Sequence, residues 1–204
     1  MKFFKNNSYD IVKLFINQIG IAIFAMMLYS SVSLIDLSEY KTPLYVLISI
    51  FSMGFYFALL YTAAWEFGAK DKIRLDGGKS IDGMREGYIP CKGALLAFFA
   101  NIPNLVFVGL AIIFKSIHLL GGAEGFNTAF VLLNNLFRFL MSIYLGVIRG
   151  IFSGVSDSLM SYFYQAIGYF FAPLLAILAT QLGYAFGFKE FRISSLFSGK
   201  EDKR

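Results

Sequence analysis

Residues 127–153 read NTAFVLLNNLFRFLMSIYLGVIRGIFS, and the topology of the chain turns on this stretch. Its polar residues Asn134, Asn135, Arg138, Ser142, Arg149 and Ser153 fall in one narrow arc of a helix that advances about 100° per residue, while Leu, Phe, Val and Ile fill the rest. A straight crossing from Thr128 to Ile148 sets Arg138 at the bilayer midplane, at a cost of about 2.5–3.5 kcal/mol. A helix that lies in the outer interface, or that enters the bilayer and returns, avoids the cost. The expectation is therefore an amphipathic helix near 128–150 that is re-entrant or interfacial.

Four other stretches carry no charge at all: Leu14 to Ile35, Leu44 to Trp65, Gly93 to Phe114 and Phe163 to Phe188. Each exceeds the roughly 20 residues that a helix needs to cross about 30 Å of hydrocarbon. The alternating strands of a membrane barrel are absent, and a spanning segment must satisfy its own backbone. The predicted fold class is an all-α integral membrane protein with four transmembrane helices plus the amphipathic helix, in one polytopic domain over residues 1–204. Five transmembrane helices are the alternative. The chain's 57% apolar and 15% charged composition fits this class and excludes an ordinary water-soluble domain.

Charge placement separates the two topologies. With four spans and a cytoplasmic amino terminus, Lys2, Lys5 and Lys13, the loop residues Lys70, Lys72, Arg74, Lys79, Arg85 and Lys92, and the tail residues Lys189, Arg192, Lys200, Lys203 and Arg204 all lie inside. Only Lys41, Lys115, Arg138 and Arg149 remain on the other side or within the membrane. A fifth span moves the basic tail outside, so the positive-inside rule favours four spans with both termini cytoplasmic, in a plasma membrane. The first span has a basic flank and a Ser31-Val32-Ser33 sequence like a cleavage site, yet its apolar run is longer than that of a signal peptide and is expected to stay uncleaved.

Catalytic patterns are missing. One histidine, His118, cannot build the usual zinc site, no Gly-x-Ser-x-Gly elbow occurs, and Gly78-Lys79-Ser80 lacks the earlier glycine of a phosphate loop, where Ile73 stands. The expectation is no enzyme, no metal and no cofactor. Lone Cys91 excludes an internal disulfide and reads as a buried or interfacial thiol. The net charge of +5 matches anionic lipid heads and needs no nucleic acid.

The polar groups that remain define the candidate site. Asn101-Ile102-Pro103-Asn104 sits near the middle of the third span, where Pro103 frees the Phe99 carbonyl and predicts a kink. Two carboxamides beside a free carbonyl form a solute or ion contact of the kind found in broken transporter helices, with Arg138 as a further contact for an anionic solute. Hydrogen bonding that merely repairs the kink is the competing explanation. Asn17, Gln18, Gln165, Pro173 and Gln181 are lesser members of the same class. Trp65 and Glu66 read as an anchor at the inner interface. The spacings Gly146-Gly150-Gly154, Gly54-Ala58-Thr62 and Ala179-Gly183-Gly187 read as helix-packing faces, within the bundle, in a homo-oligomer or against a partner membrane protein. The mixed-charge loop 68–92 is predicted cytoplasmic. Permeation or transport of a small solute, alone or as a transporter subunit, is the leading functional expectation. A non-transporting scaffold or regulator that binds a protein or lipid is the alternative.

Overall fold

The structure is a computed structural model that describes residues 2–34, 40–78, 89–121, 124–152, 154 and 158–190. The charges Lys79, Asp82, Arg85 and Glu86 of the predicted loop, and Arg192, Lys200, Lys203 and Arg204 of the tail, lie outside them. Among the described residues every element is helical: α1 (Lys2–Asn6), α2 (Ser8–Ser33), α3 (Lys41–Asp76), α4 (Lys92–Leu119), α5 (Glu124–Leu140), α6 (Ser142–Ile151), α7 (Ser158–Phe171) and α8 (Pro173–Phe188). Four are long and apolar enough to cross a membrane: α2, α3, α4 and the stretch Tyr162–Phe188.

That last stretch combines most of α7 with α8, which meet at Ala172 just before Pro173. Proline without an amide hydrogen interrupts the ladder there. Pro103 behaves differently, since α4 continues through it from Lys92 to Leu119. α3 also runs farther than its charge-free stretch, to Asp76, so the first nine residues of the predicted loop are helical.

Burial follows the logic of lipid rather than water. Leu47, Ile50, Phe51, Leu132, Leu174, Leu178 and Leu182 are exposed, while Gln18, Ser49, Ser52, Asn101, Asn104, Ser142 and Thr180 are buried. An exterior this apolar, around an interior this polar, suggests a membrane protein.

The chain divides into two compact units. Unit 1 holds residues 1–14, 57–99 and 176–204, and so gathers the beginnings of α2 and α4 and the ends of α3 and α8. Its helices meet at glycines. A Cβ at Gly183 would collide with the Tyr61 carbonyl, one at Gly187 with the Trp65 backbone, and one at Gly68 with the backbone of Tyr184 and Phe188. α8 thereby packs against α3 at backbone distance, and Gly93 brings α4 equally close to Thr180 and Gln181. Gln181 closes the start of α4, donating from Nε2 to the Pro90 carbonyl at 2.6 Å and accepting from the Ala94 amide at 2.9 Å. Within this packing Lys92 donates to Asp71 at 2.7 Å, and the Tyr184 hydroxyl donates to the same carboxylate oxygen at 3.0 Å.

Unit 2 holds residues 15–56 and 100–175, including all of α5 and α6. Here the expected single helix over 128–150 is corrected: α5 and α6 meet at Met141 at an angle of 101°. The path of the pair follows from its neighbours. α5 begins beside α4's end, where the Phe114 and Phe126 rings lie 6.0 Å apart, and runs parallel to α7 through the edge-to-face pairs Phe130–Tyr162 and Phe137–Tyr169, each at 5.3 Å. α5 ends level with Gln18, and α6 then leaves alongside α2, from the Ala22 carbonyl at Ser142 to the Tyr29 hydroxyl at Gly146.

Candidate functional site

The bend at Leu140–Met141–Ser142 contains neither proline nor glycine, so its backbone has to be held from outside. The Tyr144 amide turns to the Met141 carbonyl at 3.0 Å instead of to Leu140, and the Leu140 carbonyl accepts from Gln18 Nε2 at 3.3 Å. Gln18 Oε1 in turn accepts from Asn104 Nδ2 at 2.9 Å, and the same amide donates to Asn101 Oδ1 at 3.0 Å. Gln18 is 1% exposed and Asn104 0%. Three carboxamides from α2 and α4 thus form one chain that ends on the carbonyl left free by the bend.

A second chain holds α6. Ser142 Oγ donates to the Ala22 carbonyl at 3.0 Å, and the Gly146 amide donates to the Tyr29 hydroxyl at 3.1 Å. Tyr29 is hydrogen-bonded to Ser49, whose hydroxyl donates to the Ile143 carbonyl at 2.7 Å. Gly146 permits the approach, because a Cβ there would run into the Tyr45 carbonyl. At Gly150 a Cβ would meet a methyl group of the Val46 side chain instead of backbone, and Gly154 and Gly54 have open space where a Cβ would point.

The predicted site residues therefore separate. Asn101 and Asn104 come together, but the carbonyl they serve, through Gln18, is that of Leu140 in another helix rather than that of Phe99 in their own. Pro103 lies within the continuous α4. Glu66, half-exposed, pairs with Lys13 of α2 at 2.9 Å rather than with a loop residue, and the Lys13 ammonium also lies 5.4 Å from the Phe67 ring centre. Trp65 supplies the backbone against which Gly187 packs, and Ala179 is half-buried one turn before Gly183. Cys91 is exposed, which excludes the buried alternative of the two expected for it.

Arg138 lies on α5, three residues before the bend. Its Nε is buried without a hydrogen-bond partner, as are Asn134 Oδ1 and the hydroxyls of Tyr162 and Tyr169. Between α2, α3 and α6 an open cleft of about 260 Å³ is lined by Met26, Tyr29, Ser30, Ser33, Tyr45, Leu145 and Arg149. The polar stripe seen in the sequence is thus split. Arg138 falls on the α5 arm against α7, and Arg149 on the α6 arm in the cleft beside α2. Composition alone offered no sign of the break between them. Among the described residues no group of acids, His and Cys could hold a metal ion.

The carboxamide chain carries a prediction. Asn104→Leu leaves the Gln18 and Asn101 side-chain oxygens without their donor, at an expected cost of about 1–3 kcal/mol. Gln18→Leu should cost a similar amount through the Leu140 carbonyl. Because both act on one chain, the double variant should be less unstable than the sum, and thermal unfolding of the purified protein in detergent measures the coupling.

Fold and site together define a class: an all-helical chain with four helices fit to cross a membrane and a broken helix pair pinned by buried amides and hydroxyls. No protein-family model, no curated protein and no solved structure matches the chain.

Proposed function

We propose that this chain is a polytopic plasma-membrane protein that passes a small solute, with α5 and α6 as a re-entrant element inside the bilayer. The observation that carries the reading is the 101° break at Met141. Non-helical backbone at membrane depth is tolerated where protein or a water-filled cavity surrounds it, and such breaks are where transporters and channels place their solute contacts. Both termini belong on the cytoplasmic side. The beginning of α2 and the end of α8 share unit 1, which supports an even number of crossings, and the basic residues around them support the inner face.

A second reading rests on a different observation. Gly54, Ala58 and Thr62 line one exposed face of α3, and the Thr62 hydroxyl turns back to the Ala58 carbonyl at 3.0 Å. Such a face suits close approach by another helix, from a second copy or a partner membrane protein.

Cys91 provides the orientation test, because it is the sole cysteine and is exposed. A membrane-impermeant maleimide should label it in inverted vesicles and spare it in right-side-out cells; the reverse pattern overturns the orientation. Solute flux into liposomes tests transport. Flux no greater than in protein-free vesicles for every class of small anion, cation and neutral solute tried removes the transport reading in favour of the partner-binding one.

A further inference from the structure

We propose that the face shared by α5 and α7 is a binding site for a small carboxylate, held by Arg138 together with the hydroxyls of Tyr162 and Tyr169. The inference deepens the transport reading and rests on it for the route by which the ligand arrives. Its basis lies within unit 2 alone.

Asn134 and Arg138 stand one turn apart on α5, and Tyr162 and Tyr169 two turns apart on α7, so each pair projects from one side of its helix. The ring pairs Phe130–Tyr162 and Phe137–Tyr169 bring those sides together in parallel register. Arg138 interacts electrostatically with both tyrosines. Tyr169 is 1% exposed, and yet its hydroxyl has no partner. Of the nine buried polar side-chain atoms without a hydrogen-bond partner among the described residues, four belong to these side chains of α5 and α7, and each costs stability until something meets it.

The unmet groups specify the ligand. Arg138 Nε–H and the two phenols are donors, and they call for an acceptor with several lone pairs. Among the described residues of unit 2 the one carboxylate is Glu124, some 14 residues earlier on α5 and so about 21 Å away along the helix axis. No acid there neutralises Arg138. Arg138 is not the one cation at this face, because the Lys115 ammonium stands 5.0 Å from the centre of the Phe130 ring and Arg149 acts on Tyr169 as well, so the excess of positive charge calls for an anion. A carboxylate accepts the guanidinium through two parallel hydrogen bonds and retains lone pairs for both hydroxyls. Asn134 Oδ1 remains to accept from a hydroxyl on the ligand, and the rings of Phe130 and Phe137 wall its alkyl part.

The test is thermal unfolding of the purified full chain in detergent, titrated with sodium acetate or sodium lactate at constant ionic strength against sodium chloride and sodium sulfate. Acetate and lactate should raise the unfolding temperature saturably above the chloride baseline. Arg138→Gln should weaken the apparent affinity by roughly 100-fold and Tyr169→Phe by about 10-fold, as expected for lost charged and neutral hydrogen bonds. Should Arg138→Gln fail to fold, Tyr162→Phe with Tyr169→Phe keeps both rings, removes only the hydroxyls, and should still weaken binding at least 10-fold. Stabilisation equal to that by chloride, stronger stabilisation by sulfate, or affinity unchanged in the variants overturns the proposal. Lactate flux into liposomes separates this inference from the transport reading. Binding without flux overturns transport and leaves the site standing; lactate flux untouched by Arg138→Gln overturns the site and leaves transport standing.

Discussion

Lys92→Met should unfold the protein at a markedly lower temperature, with a loss of about 3–5 kcal/mol. Lys92 opens α4, where the helix dipole disfavours a cation, and both it and Asp71 are almost completely buried, their side chains 2% and 4% exposed. The ammonium is held there by a carboxylate 2.7 Å away. Removing it leaves Asp71 charged, buried and supported only by the Tyr184 hydroxyl and a more distant Arg74 guanidinium at 3.9 Å. Asp71→Asn should be costly from the other side too, since the ammonium then loses the acid 2.7 Å away, with Asp10 acting on it only through its charge. The double change to Lys92→Met and Asp71→Leu should recover most of the loss, because an apolar pair of similar volume removes both desolvation penalties. Denaturant or thermal unfolding in detergent measures all three. Additive losses in the double variant would show that Asp71 and Lys92 do not act as a pair.

This pair also shows where sequence reasoning reached its limit. The four charge-free stretches were legible because lipid imposes a demand that each segment meets alone: enough apolar residues and a self-satisfied backbone. Asp71 and Lys92 read as solvated loop charges because the charge-free run ends at Trp65, although Gly77-Gly78, with Gly78 at φ 70°, mark the true end of α3 just after Asp76; nothing local says that residues 21 apart will meet. The break at Met141 was illegible for the same kind of reason. Proline marks the interruption before α8, but Leu140-Met141-Ser142 carries no breaker, and its partners Gln18, Ala22, Ser49 and Asn104 are scattered over three other helices. Asn101 and Asn104 were recognisable as unusual; that they complete a bend in α5 and α6, by way of Gln18, is a tertiary fact. Arg138 was recognisable too, and the narrow polar stripe suggested that it faces water or lipid heads. It is half-buried, and its Nε is enclosed without a hydrogen-bond partner close enough to Tyr162 and Tyr169 of α7 to act on both.

Gly146→Ala should be destabilising by about 3 kcal/mol or more, against the usual sign of the substitution. Inside a helix Ala is favoured over Gly by about 1 kcal/mol, and at an open position the exchange stabilises. Gly20, on α2 with nothing near its missing Cβ, is such a position, and Gly20→Ala should raise stability by about 0.5–1 kcal/mol. At Gly146 the added methyl group meets the carbonyl oxygen and carbon of Tyr45, which belong to backbone and cannot rotate away, and the Ser49 Cβ at 3.0 Å. α6 must then move off α3, and the helix carries its anchors with it. The Ser49 bond to the Ile143 carbonyl and the Gly146 amide bond to Tyr29 lie on the same two turns, so both should lengthen together and leave buried groups unpaired. The consequence extends to the bend, because Ser142 and the Leu140 carbonyl are fixed to α2 from the adjoining residues. Buried Ile143 offers the readout. Introduced as Ile143→Cys with Cys91 replaced by Ser, position 143 should resist a small membrane-permeant thiol reagent in the parent and react at least 10-fold faster once Gly146→Ala is added. Equal reactivity, together with equal stability of the Gly146 and Gly20 variants, would mean that α6 does not rest against α3 at that glycine.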